Sequence, residues 1–247
     1  MSEKVRYTDE PIEAGDPRAV AVVAAIQGGD VERLTQLLRD DAGLATARIV
    51  DAGGTSRTLL HVAADWPGHF PRGRETVAAL VAAGADVDAR VIQGNPALAP
   101  ETALHWAASS DDVAVVDALL DGGADIEAPG AIFTDGAPMS DAVVFAQWKA
   151  ARRLLERGAQ TTIWQAAALG LLERVKECCA ESPQPSEQIT NSFWHACRGG
   201  QRETAEYLLG LGADVNWVGH DRKTPLAVAR ESGVEGLVEW LRGRGAV

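Results

Sequence analysis

Three residues at one repeated position, Asp141, Gln165 and His195, carry side chains suited to acid–base or ligand-binding chemistry. They stand out when the short helices that open successive units are aligned on the His of TLLHVAA (58–64) and TALHWAA (102–108). The His position then reads His61, His105, Ser140, Trp164, Trp194 and Ala227. The next position reads Val62, Trp106, Asp141, Gln165, His195 and Val228. Packed helices lie roughly 8–10 Å apart, so three consecutive units can line one polar strip. Buried polar groups are costly unless paired. The strip is therefore either a structural hydrogen-bond network or the polar floor of a ligand site. In the second reading Asp141 and His195 are the candidate catalytic pair, a carboxylate and an imidazole across a small substrate. Trp164 and Trp194 offer only an N–H donor, and so are not expected to take over a histidine's hydrogen-bonding role.

Aromatic residues surround this strip. Trp66, Trp106, Phe145, Trp164 and Trp194 can form an apolar wall over it, and seven Trp stand against two Tyr and four Phe in the chain. From Thr58 to Gly84 there are 26 positions, against 21 from Thr102 to Gly123, so the former unit carries five extra residues. They fall in WPGHFPRGR (66–74), whose Pro and Gly make it a loop. That loop holds Trp66, His69 and Phe70, and inserted loops in compact domains are often functional. An apolar wall with convergent polar groups suits a small ligand, and a Trp-rich face suits a protein partner. The candidate binding residues are thus Trp66, His69, Phe70, Trp106, Asp141, Phe145, Gln165, Trp194 and His195.

The elements that must position these residues are helix pairs. In Glu101–Asp125 Thr102 caps a first helix, Ser109–Asp111 break it, and Val113–Leu120 form a second that Gly122 and Gly123 end. The same pattern recurs in units at about 17–40, 58–89, 102–128, 137–160, 161–182, 191–217 and 224–247. Residues 1–16 read as a flexible lead-in, and Asp40–Arg57, Arg90–Glu101 and Ser182–Gln188 as connections. One helix pair cannot bury enough apolar surface to offset its chain entropy, whereas a stack can.

The motifs TLLHVAA, TALHWAA and TPLAVA at helix starts, with GADVDA, GADIEA and GADVNW at helix ends, resemble the ankyrin-repeat family over residues 17–247. The insertion HVAADWPGHFPRG, with FWHAC and GADVNWVG, is similar to that of actinobacterial ankyrin proteins. The resemblance implies an all-α ankyrin-repeat α-solenoid of about seven helix pairs with β-turn and loop connections, in one domain. It implies that first helices and turn tips line a concave face that binds a protein or peptide, and that His61 and His105 are structural. The sequence departs from the pattern where the unit at 161–182 lacks its GAD and where Arg222 stands at a usual turn glycine.

Formal charge is −12, so nucleic acid and anionic membranes are unfavourable partners. MSEKVRYTDEPIEAGDP has no apolar core of the secretory kind. Cys178, Cys179 and Cys197 read as reduced thiols of a cytoplasmic protein. No metal-ligand spacing, P-loop, GxGxxG after a strand, HExxH or GxSxG occurs, so no metal or cofactor is expected. The expectation is a monomeric binding module for a protein or peptide. The alternative is a small-molecule binder or enzyme using a pocket lined by Trp and the Asp/Gln/His row.

Overall fold

The computed structural model describes residues 11–92 and 100–247. Seven helix pairs are present among them. They are α1 (Pro17–Gly28) with α2 (Val31–Asp40), α3 (Leu59–Ala64) with α4 (Gly73–Ala82), and α5 (Ala103–Ser109) with α6 (Val113–Asp121). Next come α7 (Pro138–Val144) with α8 (Trp148–Glu156), and α9 (Ile163–Leu169) with α10 (Leu172–Glu181). Last are α11 (Ser186–Arg198) with α12 (Arg202–Gly210), and α13 (Pro225–Glu231) with α14 (Glu235–Gly243). This is an α-solenoid of helix-pair repeats. The described residues form two compact units, one ending at Ala159 and one spanning Gln160–Val247.

In the first unit α1, α3, α5 and α7 pack in succession, and α2, α4, α6 and α8 do the same. The reason lies in the sequence of each helix. In α3 every residue from Leu59 to Ala64 is buried, because a short first helix lies between two neighbours and its own partner. Small residues at Ala63, Ala64, Ala107 and Ala108 let these helices approach closely. The second helices are one-sided: α8 buries Ala150, Ala151 and Leu154 and exposes Lys149 and Arg152, the 3.6-residue period of an amphipathic helix. Each fully buried Leu contributes roughly 1.5–3 kcal/mol. In the second unit α11 packs between α9 and α13, and Phe193, Trp194 and Cys197 are buried there with Leu208 and Leu237.

The sequence motifs act through local hydrogen bonds. Thr58 and Thr224 cap α3 and α13, accepting from the backbone N–H of His61 and Ala227 at 3.4 and 3.3 Å. The Asp of each GAD motif closes a turn on the N–H two residues ahead: Asp86 to Asp88, Asp125 to Glu127 and Asp214 to Asn216, at 2.9–3.0 Å. Asp88 in turn accepts from the N–H of Asp125 at 2.8 Å, tying one turn tip to the next.

Three expectations are corrected. The lead-in contains a strand, β1 (Pro11–Glu13), whose Ile12 is buried, while residues 1–10 lie outside the described residues. β1 pairs in parallel with β2 (Arg48–Val50), which pairs antiparallel with β3 (Ser56–Thr58). The connection Asp40–Arg57 therefore holds a 3-10 turn at Leu44–Thr46 and most of a small sheet. Buried Arg48 fixes that sheet through Ser56 Oγ and Ser56 O at 3.0 and 2.9 Å. Of the connection Arg90–Glu101, Arg90 bridges to Thr102, and residues 93–99 lie outside the described residues. Finally, Ser186–Gln188 belong to α11, which starts directly after Pro185, a residue that fits ahead of a helix and not inside one.

Two glycines of the second unit predict opposite outcomes for one substitution. A Cβ on Gly199 would lie 1.9 Å from the Ala168 carbonyl oxygen, whereas one on Gly210 meets nothing within 4 Å. Gly199→Ala should cost about 1–3 kcal/mol by forcing α11 off α9. Gly210→Ala, at the end of α12, should gain up to about 1 kcal/mol. Urea denaturation of the two variants measures both.

Candidate functional site

His61 and His105 make structural hydrogen bonds. His61 Nδ1 accepts from the N–H of Thr58 at 3.4 Å and lies 2.8 Å from its hydroxyl. With Nδ1 an acceptor, Nε2 carries the proton, and it reaches the carbonyl of Glu101, the residue before the next helix cap, at 3.1 Å. His105 repeats this with Thr102, at 3.2 and 2.9 Å, and with the Gly136 carbonyl at 3.2 Å. Burial holds both rings neutral, with pKa values lowered to about 4.

Trp194 corrects the expectation drawn from its single donor. Its Nε1 donates to the carbonyl of Lys223 at 2.9 Å, and Lys223 immediately precedes the Thr224 cap. The indole thus makes the bond to the next repeat that His61 and His105 make. The other half of the histidine role is not needed, because α11 continues N-terminally for more than a turn and no cap stands there.

Gln165 is out of the register assigned to it. Thr162 caps α9 and Gln165 is the third helical residue, as His61 and His105 are in their helices. The Thr162 N–H donates to Gln165 Oε1 at 2.8 Å, a capping box. From cap to left-handed turn residue, Thr162 to Gly170 is one residue shorter than Thr102 to Asp111. That missing residue places Gln165, and not Trp164, in the His position.

Asp141 has a different companion from the one anticipated. It is 1% exposed, and its carboxyl hydrogen-bonds that of Glu101, itself 8% exposed. Trp106 Nε1 donates to Glu101 Oε2 at 3.2 Å, and the Ile132 backbone donates to the pair. Burial and then the Glu101 charge push Asp141 up to about 8, so it holds a proton at neutral pH, while burial also raises Glu101 from its ordinary value. The other Asp141 oxygen, Oδ2, has no hydrogen-bond partner. Asp141 belongs to the first unit and His195 to the second, each with its own neighbours. In the second unit His195 is 4% exposed, walled by Trp164 and Trp194 with ring centroids at 4.7 and 5.0 Å.

The inserted loop is docked and its tip is bare. The His69 N–H donates to Asp112 Oδ2 at 2.6 Å, and His69 Nε2 reaches the Ser110 carbonyl at 3.1 Å. Phe70 is half-buried, whereas Trp66 is 81% exposed. Phe145 is 42% exposed and stacks with Phe133 at 5.9 Å.

A family model described as ankyrin repeat matches residues 56–91 and 101–131. An ankyrin repeat and KH domain-containing protein of Caenorhabditis briggsae is 30% identical over 188 residues, covering 72% of this chain. The chain spans 7% of that relative's length. The crystal structure of the human ASB11 ankyrin repeat domain superposes with a TM-score of 0.51 at 19% identity, covering 89% of this chain and 96% of that one. The chain is an ankyrin-repeat protein.

For this ankyrin protein the polar row resolves into three separate arrangements: a capping Gln165, an Asp141–Glu101 carboxyl pair and a ring-walled His195. Glu101 was missed, and only its position before a cap signalled it. No cluster of three or more His, Cys, Asp or Glu suited to a metal occurs among the described residues.

The buried groups give the first unit a pH signature. Asp141, raised from 3.8 to about 8, binds a proton in the native state that the unfolded chain releases, so its stabilising effect is lost between about pH 4 and 8. His61 and His105, lowered from 6.5 to about 4, act oppositely, and their stability is lost as pH falls from about 6.5 to 4. Above pH 6.5 the histidine effects fade as the unfolded rings finish titrating, and they partly offset the Asp141 loss. In urea denaturation the Asp141 contribution should appear as a loss on the order of 1–2 kcal/mol between pH 6.5 and 8, set against a smaller gain from the histidines. Asp141→Asn, which keeps a donor to Glu101 and cannot ionise, should remove that loss.

Proposed function

We propose that the protein is a binding module that recognises a protein or peptide partner through the turn tips and first-helix face of its ankyrin array. Ankyrin repeats are generally protein-interaction modules. The observation that carries the reading here is a set of uncovered aromatic side chains in the first unit. Trp66 is 81% exposed, Phe133 68% and Phe145 42%, with Ile132 beside them in sequence at 38%. Large apolar side chains left in water mark interaction sites, and Trp is enriched among the residues that dominate binding energy. His69 supports this by fixing the loop that presents Trp66, so little ordering entropy remains to be lost on binding.

A net charge of −12 favours a partner with basic residues around an apolar anchor. No helix among the described residues is long and apolar enough to cross a membrane. The three cysteines are free thiols, in keeping with the cytoplasmic setting that belongs to this proposal.

The test is affinity capture with the native chain and with Trp66→Ala, Phe133→Ala and Phe145→Ala, singly and together. The variants should keep the native melting temperature within the range of surface substitutions, about ±0.5 kcal/mol. At least one single variant should weaken the captured complex by about tenfold or more, the size of a hot-spot loss. Capture unchanged in the triple variant would end this reading.

A further inference from the structure

The second unit holds a ring cluster that the partner-binding reading does not use. His195 is its centre. Besides Trp164 and Trp194, His220 faces it at 5.6 Å, and His220 also touches Trp194 at 5.3 Å and Trp217 at 5.9 Å. His195 and Trp194 come from α11, Trp164 from α9, and Trp217 and His220 from the loop between α12 and α13. His195 Nδ1 is buried and makes no hydrogen bond. A buried orphan nitrogen costs on the order of 1–3 kcal/mol, and a packed core would be expected to supply a partner or an apolar residue.

The Arg198 guanidinium and the His220 imidazole are the basic groups around that ring. His220 and Arg198 are the two neighbours whose charge disfavours a proton on His195. Arg198 lies with its guanidinium 5.7 Å from the Trp194 ring centroid, and it is partly desolvated. The acids near Arg198 are Asp221 and Glu231. Glu231 is engaged by Lys223 at 2.8 Å, which leaves Asp221 as the loop's own anion over this patch.

The loop itself is held under tension. Asp221 and Arg222 both take left-handed backbone, φ 55° and 56°, a conformation that costs non-glycine residues roughly 1–2 kcal/mol each. Gly219 is wedged so that a Cβ would lie 2.3 Å from the Trp217 ring and 3.0 Å from Trp194 Cδ1. His220 is pinned by donating from Nε2 to Asn191 Oδ1 at 3.0 Å. On this strained turn the His220 ring thus sits against Trp194 and His195, and the adjacent Asp221 supplies negative charge that Arg198 feels.

We propose that this is a small-molecule site for a planar aromatic carboxylate, closed in the present structure by the Trp217–Lys223 loop. The ligand's ring takes the place of His220 against Trp194. Its carboxylate replaces Asp221 at Arg198 and accepts from His195 Nδ1–H. The loop is then an internal competitor, and its strain is released when it is displaced. This site is independent of the exposed aromatics of the first unit.

Isothermal titration of the full chain with 2-naphthoate tests it, with 2-naphthamide as the uncharged control and acetate as the ringless one. Naphthoate should bind saturably, and amide and acetate at least tenfold more weakly. Arg198→Gln should reduce naphthoate affinity to that of the amide. Asp221→Asn, on the exposed loop, should tighten naphthoate severalfold by removing the competing anion. A purely structural cluster would not show that gain. Absence of naphthoate binding, equal binding of the amide, or weaker binding by Asp221→Asn would each overturn the proposal. Should Arg198→Gln fail to fold by circular dichroism, the naphthoate-to-amide ratio of the native chain and the Asp221→Asn result still decide it.

Discussion

A hydrogen bond from an aromatic ring nitrogen to one backbone carbonyl of the next repeat is the interaction on which this array depends. His61 reaches Glu101, His105 reaches Gly136 and Trp194 reaches Lys223. In every case the acceptor belongs to the residue just before the N-cap of the next first helix. Such a carbonyl is removed from water by the stacking of the helices and has no intrahelical donor. Each also accepts from a backbone N–H of its own connection, Val91 to Glu101, Ala131 to Gly136 and Gly219 to Lys223 at 2.8–3.0 Å. The carbonyl is thus a fixed second-site acceptor, and it is the buried ring N–H that would be an orphan without it. The bond also sets register, because it ties a ring on one first helix to the start of the next first helix.

The GAD turns and the threonine caps work around that bond. Cap, ring and carbonyl form one chain of contacts in the first unit: Thr58 holds the His61 ring, and His61 holds the backbone of Glu101. Glu101 then extends the chain through its side chain, sharing a proton with Asp141 and accepting from Trp106. The polar residues on the first helices therefore serve the interior. The surface of the same unit is where large apolar groups are left unsatisfied, at Trp66, Phe133 and Phe145. In the second unit His195 Nδ1 is one of the buried groups without a partner, with Ser192 Oγ and Trp240 Nε1, and it lies inside a ring cluster that a strained loop covers.

What was legible in the sequence was whatever is encoded locally. TLLHVAA, TALHWAA and the GAD turns each complete their own hydrogen bonds within a few residues, so pattern alone places them. The helix pairs followed from apolar periodicity and the glycines that end them. The strand at Pro11–Glu13 was hidden because it exists only through pairing with Arg48–Val50, far along the chain. Glu101 and Asp141 are 40 positions apart, and neither segment alone signals a shared proton. Gln165 was misregistered because its unit is one residue short and lacks the GAD that would have fixed the alignment. Trp194 was underrated because an indole looks unlike an imidazole in sequence, although one N–H in the right place is all that its position requires.

The measurement that bears most directly on this account is the long-range proton–nitrogen NMR spectrum of the imidazoles, recorded from pH 8 to 5. If the ring-to-carbonyl bond organises the stack, His61 and His105 carry their proton on Nε2 and leave Nδ1 bare. Both should stay neutral throughout that range, since their pKa values lie at about 4. Protonation on Nδ1, or titration of either ring near the ordinary histidine value of about 6.5, would contradict it, and the stacking of this array would need another explanation.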